Sequence, residues 1–290
     1  MEAVSKWNGT GNDFIIIPGD VEVGDETEVT RRLCDRDTGL DDPQSRRTGA
    51  DGVLFLTREE GSPPQVTMHH VQPDGSTPDM CGNGVRCAAK WASQHFGATN
   101  VVVQTGAGPH PATVTGDGVT VTMRQPSLEP ADIPLNRNKP LYEESVEDLI
   151  VTAVTTGVPH AVAFQDDISN MALSDVAPPV RHADVFPDGA NVTLSERIEP
   201  GRYAQRTYER GVEGETDACG TGAVAIAAAA VATGRADAGK HLDIEPPGGR
   251  LTVSVSEDQT TLAGPVEHEF STDLETIQAD YDVPLRAPGP

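Results

Sequence analysis

The chain has 290 residues, 37% of them hydrophobic, and sets 45 Asp and Glu against 21 Lys and Arg for a net charge of −24. That balance argues against nucleic-acid binding, which needs cations to neutralise phosphates, and no apolar run is long enough to span a bilayer. The start, from Met1 to Lys6, lacks a basic segment followed by an apolar stretch, so the reading is a cytoplasmic chain without a signal peptide.

Four cysteines are too few for a disulfide scaffold. Lysine occurs only at Lys6, Lys90, Lys139 and Lys240, leaving arginine as the main cation. Concentrated salt screens such an acidic surface, with a Debye length of about 3 Å at 1 M, and a salt-adapted source is expected.

Taken in chain order, short β-branched runs bounded by Gly, Pro and Asp predict strands at Phe14–Ile17, Val53–Thr57, Val101–Thr105, Val119–Met123, Val151–Thr155 and Arg202–Glu209. Peripheral helical pieces are expected at Asp20–Asp35 and Ser145–Ile150, and a polar surface loop at Asp35–Thr48. Helices are predicted from about Gly84 to His95, stopping near Gly97, and from Gly222 to Thr233, stopping at Gly234. The second, Ala223–Val231, is apolar on every face and should lie at the centre of its domain. Leu128–Pro140, with three prolines, leads between halves, and Ala279–Pro290 reads as a loosely held tail.

The chain also says one thing twice. Cys81-Gly82-Asn83-Gly84 and Cys219-Gly220-Thr221-Gly222 each put a cysteine and two glycines ahead of an alanine-rich run. Gly11–Ile17 precedes the first and Gly157–Phe164 the second; Gly49–Phe55 and Gly189–Leu194 follow in the same order. Ordered matches of this kind predict a duplicated domain. The halves are placed at 1–127 and 128–264, with 265–290 returning to the first.

A thiol at a glycine-rich helix start is a recurrent way to make a reactive thiolate, because the amides and helix dipole favour the anion. Two such thiols, one thiolate and one thiol, can remove a proton from one face of a carbon and return one to the other without a cofactor. Cys34 and Cys87 lack the glycine motif and read as small buried hydrophobes. Zinc is not expected, since Cys81 and Cys87 are six apart and no histidine pair is near.

The sequence resembles the diaminopimelate epimerase family. The residues that carry this are Asn8–Phe14, Asp74-Gly75-Ser76, Met80–Cys87, Gly157–His160, Tyr208–Gly211, Glu215–Ala223 and Gly248–Leu251. The resemblance implies an α/β fold of two pseudo-symmetric domains, each a curled mixed sheet around a central helix. It implies cofactor-independent epimerisation in lysine biosynthesis, with Cys81 and Cys219 as base and acid. His160 and Glu209 match residues beside the site that help set the thiol protonation states. Asn12, Gln72, Asn191, Glu209 and Arg210 match substrate-holding positions, and the amides of Gly82, Asn83, Gly220 and Thr221 would cradle the reacting carboxylate. Two positions depart from the family pattern: Gln72 where many members have asparagine, and Val158 within Gly157-Val158-Pro159-His160.

His69, His70, His95, His110, His182, His241 and His268 carry no such context, and Asp13, Asp51 and Asp74 read as turn and cap residues. The expected partner is a small amino acid rather than nucleic acid or membrane, and a homodimer is compatible with the chain. A two-thiol racemase acting on proline or hydroxyproline, and a non-catalytic protein closing on an amino acid, are the rival readings.

Overall fold

The computed structural model describes residues 4–116 and 118–286. They form two compact units, one ending at Val121 and resuming at Gly264, the other spanning Thr122–Ala263. Among the described residues no helix is long and apolar enough to cross a membrane.

The first unit begins with β1 (Val4–Gly9), β2 (Asn12–Pro18), a short β3 (Glu22–Val23), α1 (Glu26–Cys34), β4 (Gly52–Glu59) and β5 (Gln65–Val71). It continues through α2 (Gly82–Phe96), β6 (Asn100–Thr105), β7 (Gly108–Thr115) and β8 (Gly118–Met123). The order of pairing is β1 antiparallel to β2, β2 parallel to β4, β4 antiparallel to β5, β5 parallel to β6, then antiparallel β6–β7–β8. This sheet curls around α2, which touches β1, β2, β4, β5, β6 and β7. Its buried face, including Val85, Cys87, Ala88, Trp91 and Ala92, is what the strands close upon.

The second unit repeats the plan. It comprises β9 (Glu144–Val146), β10 (Leu149–Thr155), β11 (Pro159–Gln165), α3 (Leu173–Arg181), β12 (Asn191–Glu199), β13 (Arg202–Glu209), β14 (Gly214–Thr216), α4 (Gly220–Ala232), β15 (His241–Glu245), β16 (Leu251–Val255) and β17 (Thr260–Pro265). Here β10–β11 is antiparallel, β11–β12 parallel, β12–β13 antiparallel, β13–β15 parallel, and β15–β16–β17 antiparallel. The registers match too: Phe14 faces Gly52 in the first unit as His160 faces Asn191 in the second. Helix α4 takes the place of α2, with Ala223–Ala230 all buried. Small side chains let strands approach from every side, which is why this helix can be apolar all round.

The final segment adds β18 (Glu267–Thr272), paired antiparallel with β1, α5 (Leu274–Tyr281) and β19 (Leu285–Arg286), paired with β3. The expected loose tail is therefore tied down as far as Arg286, with Leu285 buried; its last residues, 287–290, lie outside the described ones. Ser145–Ile150 is not helical. It forms the turn of the β9–β10 hairpin, with Glu147 at φ 52°. Helix α3 escapes the sequence reading because Pro178 and Pro179 fall inside it.

The polar stretch after α1 is more than a surface loop. Lys6 of β1 is fully buried, and its Nζ donates to Ser45 Oγ at 2.7 Å and to the Arg47 carbonyl. It pairs with Asp13 of β2 at 3.1 Å and Glu269 of β18 at 3.7 Å. Arg36 grips Asp13 through both oxygens at 2.8 and 2.9 Å, and Arg36 and Arg47 both reach Asp51. Asp13 is thus the hub of a buried ionic cluster rather than a turn residue. Burial opposes its charge, but Arg36, Lys6 and Arg47 hold its carboxyl below the usual range.

Removing one partner from a buried ion pair leaves an uncompensated charge, which costs about 3–5 kcal/mol. Lys6→Met should lose roughly that amount in urea unfolding at neutral pH. Arg46→Ala, which breaks the exposed Arg46–Glu267 pair, should cost less than about 1 kcal/mol. Equal losses would contradict this account of the cluster.

His70 of β5 gives a pH signature. It is buried against Phe14 with ring centroids 5.6 Å apart, and neither ring nitrogen makes a hydrogen bond. Burial and then the neighbouring His69 push it down to about 4. Between about 4 and 6.5 the unfolded chain binds a proton that the folded chain does not. Stability from this group is therefore complete above 6.5 and is lost as pH falls toward 4. His70→Phe should flatten that part of the stability–pH curve, a difference of up to about 3 kcal/mol near pH 4.

Candidate active site

Both cysteines of the repeated motif are N-caps. Cys81 precedes α2 with φ −139° and ψ 110°, and Cys219 precedes α4 with φ −124° and ψ 102°. The helices thus begin at Gly82 and Gly220, two residues earlier than the sequence predicts. The first intrahelical bonds run from Val85 N to Cys81 O and from Ala223 N to Cys219 O. The amides of Gly82, Asn83, Gly220 and Thr221 precede those donors and have no carbonyl one turn back. A pair of such N–H groups at a helix start suits a carboxylate.

In the first unit, Gly84 N donates to Cys81 Sγ at 3.5 Å. Behind it lies a directional chain of side chains. Arg86 Nη2 donates to Asn83 Oδ1 at 2.9 Å, Asn83 Nδ2 to Asn12 Oδ1 at 2.5 Å, and Asn12 Nδ2 to Asp51 Oδ2 at 2.9 Å. Asn12 and Asn83 are thereby brought together with their amide orientations set at both ends, by a cation and by a carboxylate. Gln72 is not part of this chain; its side-chain oxygen accepts from Ser76 Oγ at 2.6 Å within the Gln72–Ser76 turn.

In the second unit, His160 is fully buried on β11. Its Nδ1 lies 3.1 Å from Thr193 Oγ1 and its Nε2 3.1 Å from Thr221 Oγ1, which is 3.4 Å from Cys219 Sγ. Burial, then the charge of Arg210, pushes the imidazole down to about 3, so it is neutral at working pH. Asn191 Oδ1 accepts from Arg210 N at 2.7 Å, and the Arg210 guanidinium rests on the carbonyls of Asp188 and Gly189. Among the described residues it forms no salt bridge, which leaves its charge for a ligand.

Of the expected pair of one thiolate and one thiol, Cys219 takes the thiol's place. Burial raises its pKa well above the ordinary thiol range, and the Glu209 carboxylate, hydrogen-bonded to the sulfur, raises it further. The Thr221 hydroxyl and the Gly222 amide pull the other way and lose. Glu209 is itself raised by burial, against hydrogen bonds from Cys219 and from Thr216 Oγ1 at 2.6 Å. Cys219 is therefore a thiol at rest, with an acceptor ready for its proton. A Cβ at Gly222 would stand 2.7 Å from Gln205 Nε2, so a larger residue there would push aside the amide that bonds Cys219 O.

Cys34 and Cys87 are buried, with thiols pushed up by burial, Cys87 to about 12. Among the described residues no cluster of His, Cys, Asp and Glu is arranged to hold a metal ion. Sequence reasoning missed Arg86, Thr193 and Gln205, whose Nε2 donates to Cys219 O at 2.9 Å. Arg86 alone left a signal, lying three residues after Asn83 and so on the same helix face.

The family model described as diaminopimelate epimerase matches residues 4–129 and 152–269. The chain belongs to the diaminopimelate epimerase family. A diaminopimelate epimerase of Methanothrix thermoacetophila is 38% identical over 271 residues, covering 90% of this chain and 91% of the relative. One of Synechococcus elongatus is 36% identical over 286 residues, covering 93% and 97%. Among solved structures, a predicted epimerase from Pseudomonas aeruginosa matches with TM-score 0.63 at 14% identity, covering 94% of this chain and 99% of that one. A probable proline racemase from Agrobacterium radiobacter, with bound carbonate, matches with TM-score 0.60 at 17% identity, covering 93% and 91%. At these identities the structural likenesses carry the fold alone, which is the two-unit α/β fold of this family.

If Glu209 holds Cys219 protonated, Glu209→Gln should lower the pH at which that thiol ionises, since it removes the anion beside it. A shift of at least roughly one unit is expected, read from thiolate ultraviolet absorbance as the difference between Glu209→Gln and the double variant with Cys219→Ala. An unchanged or raised titration would sink the assignment.

Proposed function

We propose that this chain interconverts LL- and meso-diaminopimelate by removing the α-proton with one thiolate and returning a proton from the other thiol, in lysine biosynthesis. The observation that carries this is a cysteine-capped buried helix that occurs twice, at Cys81 and at Cys219, with Glu209 against the second sulfur. One Cα–H bond breaks and one S–H bond forms; on the opposite face an S–H breaks and a Cα–H forms. Charge moving onto the carboxylate is met by the amides of Gly82, Asn83, Gly220 and Thr221. The forward step leaves Cys219 as the thiolate and Cys81 as the thiol, so in the reverse direction Cys219 removes the α-proton and Cys81 returns one. His160, neutral, keeps the Thr221 hydroxyl beside that sulfur.

Arg210 supports the choice of substrate. Its guanidinium, paired with no carboxylate among the described residues, suits a second carboxylate distant from the reacting carbon. Proline and hydroxyproline have no such group. Asn12, Asn83, Asn191 and Gln72 are assigned to the polar groups of the substrate, and no organic cofactor is required by this chemistry. A cytoplasmic, salt-rich setting fits the charge of −24.

Solvent deuterium should wash into the α-carbon of LL-diaminopimelate, which a binding protein cannot cause. Cys81→Ala and Cys219→Ala should each lower epimerisation at least about 10²-fold, while Cys34→Ala and Cys87→Ala leave turnover nearly intact. Arg210→Met should cut kcat/KM on diaminopimelate roughly ten- to a hundredfold. An undiminished Arg210→Met enzyme, or a native preference for proline, would overturn the substrate assignment.

A further inference from the structure

Arg86 is a wholly buried arginine that forms no ion pair with a carboxylate among the described residues. Its Nη1 donates to Gly82 O at 3.3 Å and its Nη2 to Thr10 Oγ1 at 2.8 Å and Asn83 Oδ1 at 2.9 Å. Its Nε has no partner. Every acceptor is neutral. A guanidinium taken out of water is costly unless an anion compensates it. Burial pulls its pKa down to about 10, which still leaves it cationic at neutral pH.

The anion it awaits is narrowed by what surrounds it. The two groups whose negative forms favour its charge are the thiols of Cys87 and Cys81. Cys87 is held neutral by burial. The carboxylates nearby already face cations. Asp13 and Glu269, from β2 and β18, face Lys6, and Asp13 and Asp51 face Arg36 and Arg47. His70, from β5, is neutral above about 4. That leaves the head of α2, where Cys81 stands.

We infer that Arg86 is a positioning residue that supplies the buried positive charge for an anion at the head of α2, and that the resting anion there is the Cys81 thiolate. This deepens the proposed function, and rests on it, by naming the resting base. The bond from Arg86 to Gly82 O adds to the effect, because that carbonyl shares a peptide group with Asn83 N–H. Donation to the oxygen makes the N–H a stronger donor toward a substrate carboxylate. The bond to Asn83 Oδ1 fixes the direction of the Asn83–Asn12 pair, so Arg86 also sets how those amides meet the substrate. The second unit uses the opposite device, a carboxylate beside its sulfur, so the two thiols rest in opposite states.

The test needs no substrate, so its failure is distinct from failure of the diaminopimelate assignment. Cys81 is alkylated with iodoacetamide across a pH series and the modified site is located by mass spectrometry, in the native chain, Arg86→Met and Arg86→Lys. An opposite charge a few ångströms away lowers a pKa by about 1–3 units. Arg86→Met should therefore slow alkylation of Cys81 at pH 7 by at least about tenfold and shift its midpoint to higher pH. Arg86→Lys, which keeps the charge, should stay within about threefold of native. An unshifted midpoint in folded Arg86→Met, or a loss in Arg86→Lys as large as in Arg86→Met, overturns the inference. Should Arg86→Met not fold, folded Arg86→Gln takes its place, with the same two outcomes.

Discussion

Each unit must bury most of a helix and still leave the first turn of that helix unbonded. The first requirement selects side chains no larger than the closing strands allow, most severely in α4, where Ala223–Ala230 are all buried. The second follows from helix geometry, since the opening amides have no carbonyl one turn earlier. Strand closure around the helix gives those amides fixed positions, and a cysteine at the N-cap puts a sulfur beside them. The polar side chains that tune the sulfurs come both from strands, as Glu209 and His160 do, and from the helices themselves, as Arg86 and Thr221 do.

The two units solve the accompanying electrostatic problem differently. At Cys219 burial dominates and the neighbour is an acid, so the sulfur keeps its proton despite the helix start. The charge that acts on Cys81 from within α2 is the Arg86 guanidinium, which among the described residues pairs with no carboxylate. Helix-terminal effects on exposed groups amount to about 0.3–1 kcal/mol, whereas desolvating a charge costs several. Position at a helix start therefore does not decide the protonation state; the nearest charge and the burial do.

The repeated cysteine–glycine segments and the alternating strands were legible because each depends on local rules. Two glycines after a cysteine mark a helix start, and β-branched runs between turn residues mark strands. What local rules cannot reach was missed. Asp13 reads as a turn residue until Lys6 from β1 and Arg36 and Arg47 from the segment after α1 converge on it. Ser145–Ile150 looks helical in isolation, yet pairing with the edge of β10 makes it a hairpin. Which of the two thiols keeps its proton was not legible for the same reason: the sequence does not state how deeply a sulfur is buried or that Glu209 lies against Cys219.

The matching registers of the two units, Phe14 on Gly52 and His160 on Asn191, fit one ancestral fold copied within the chain. The copies have since parted in charge, one holding Arg86 behind its helix cap and the other Glu209. That divergence is hard to undo. A chain made of two first units would offer two anions and no proton donor, and a chain of two second units would offer two donors and no base. Natural selection for inversion thus fixes the asymmetry itself, and neither half remains free to drift back toward its twin.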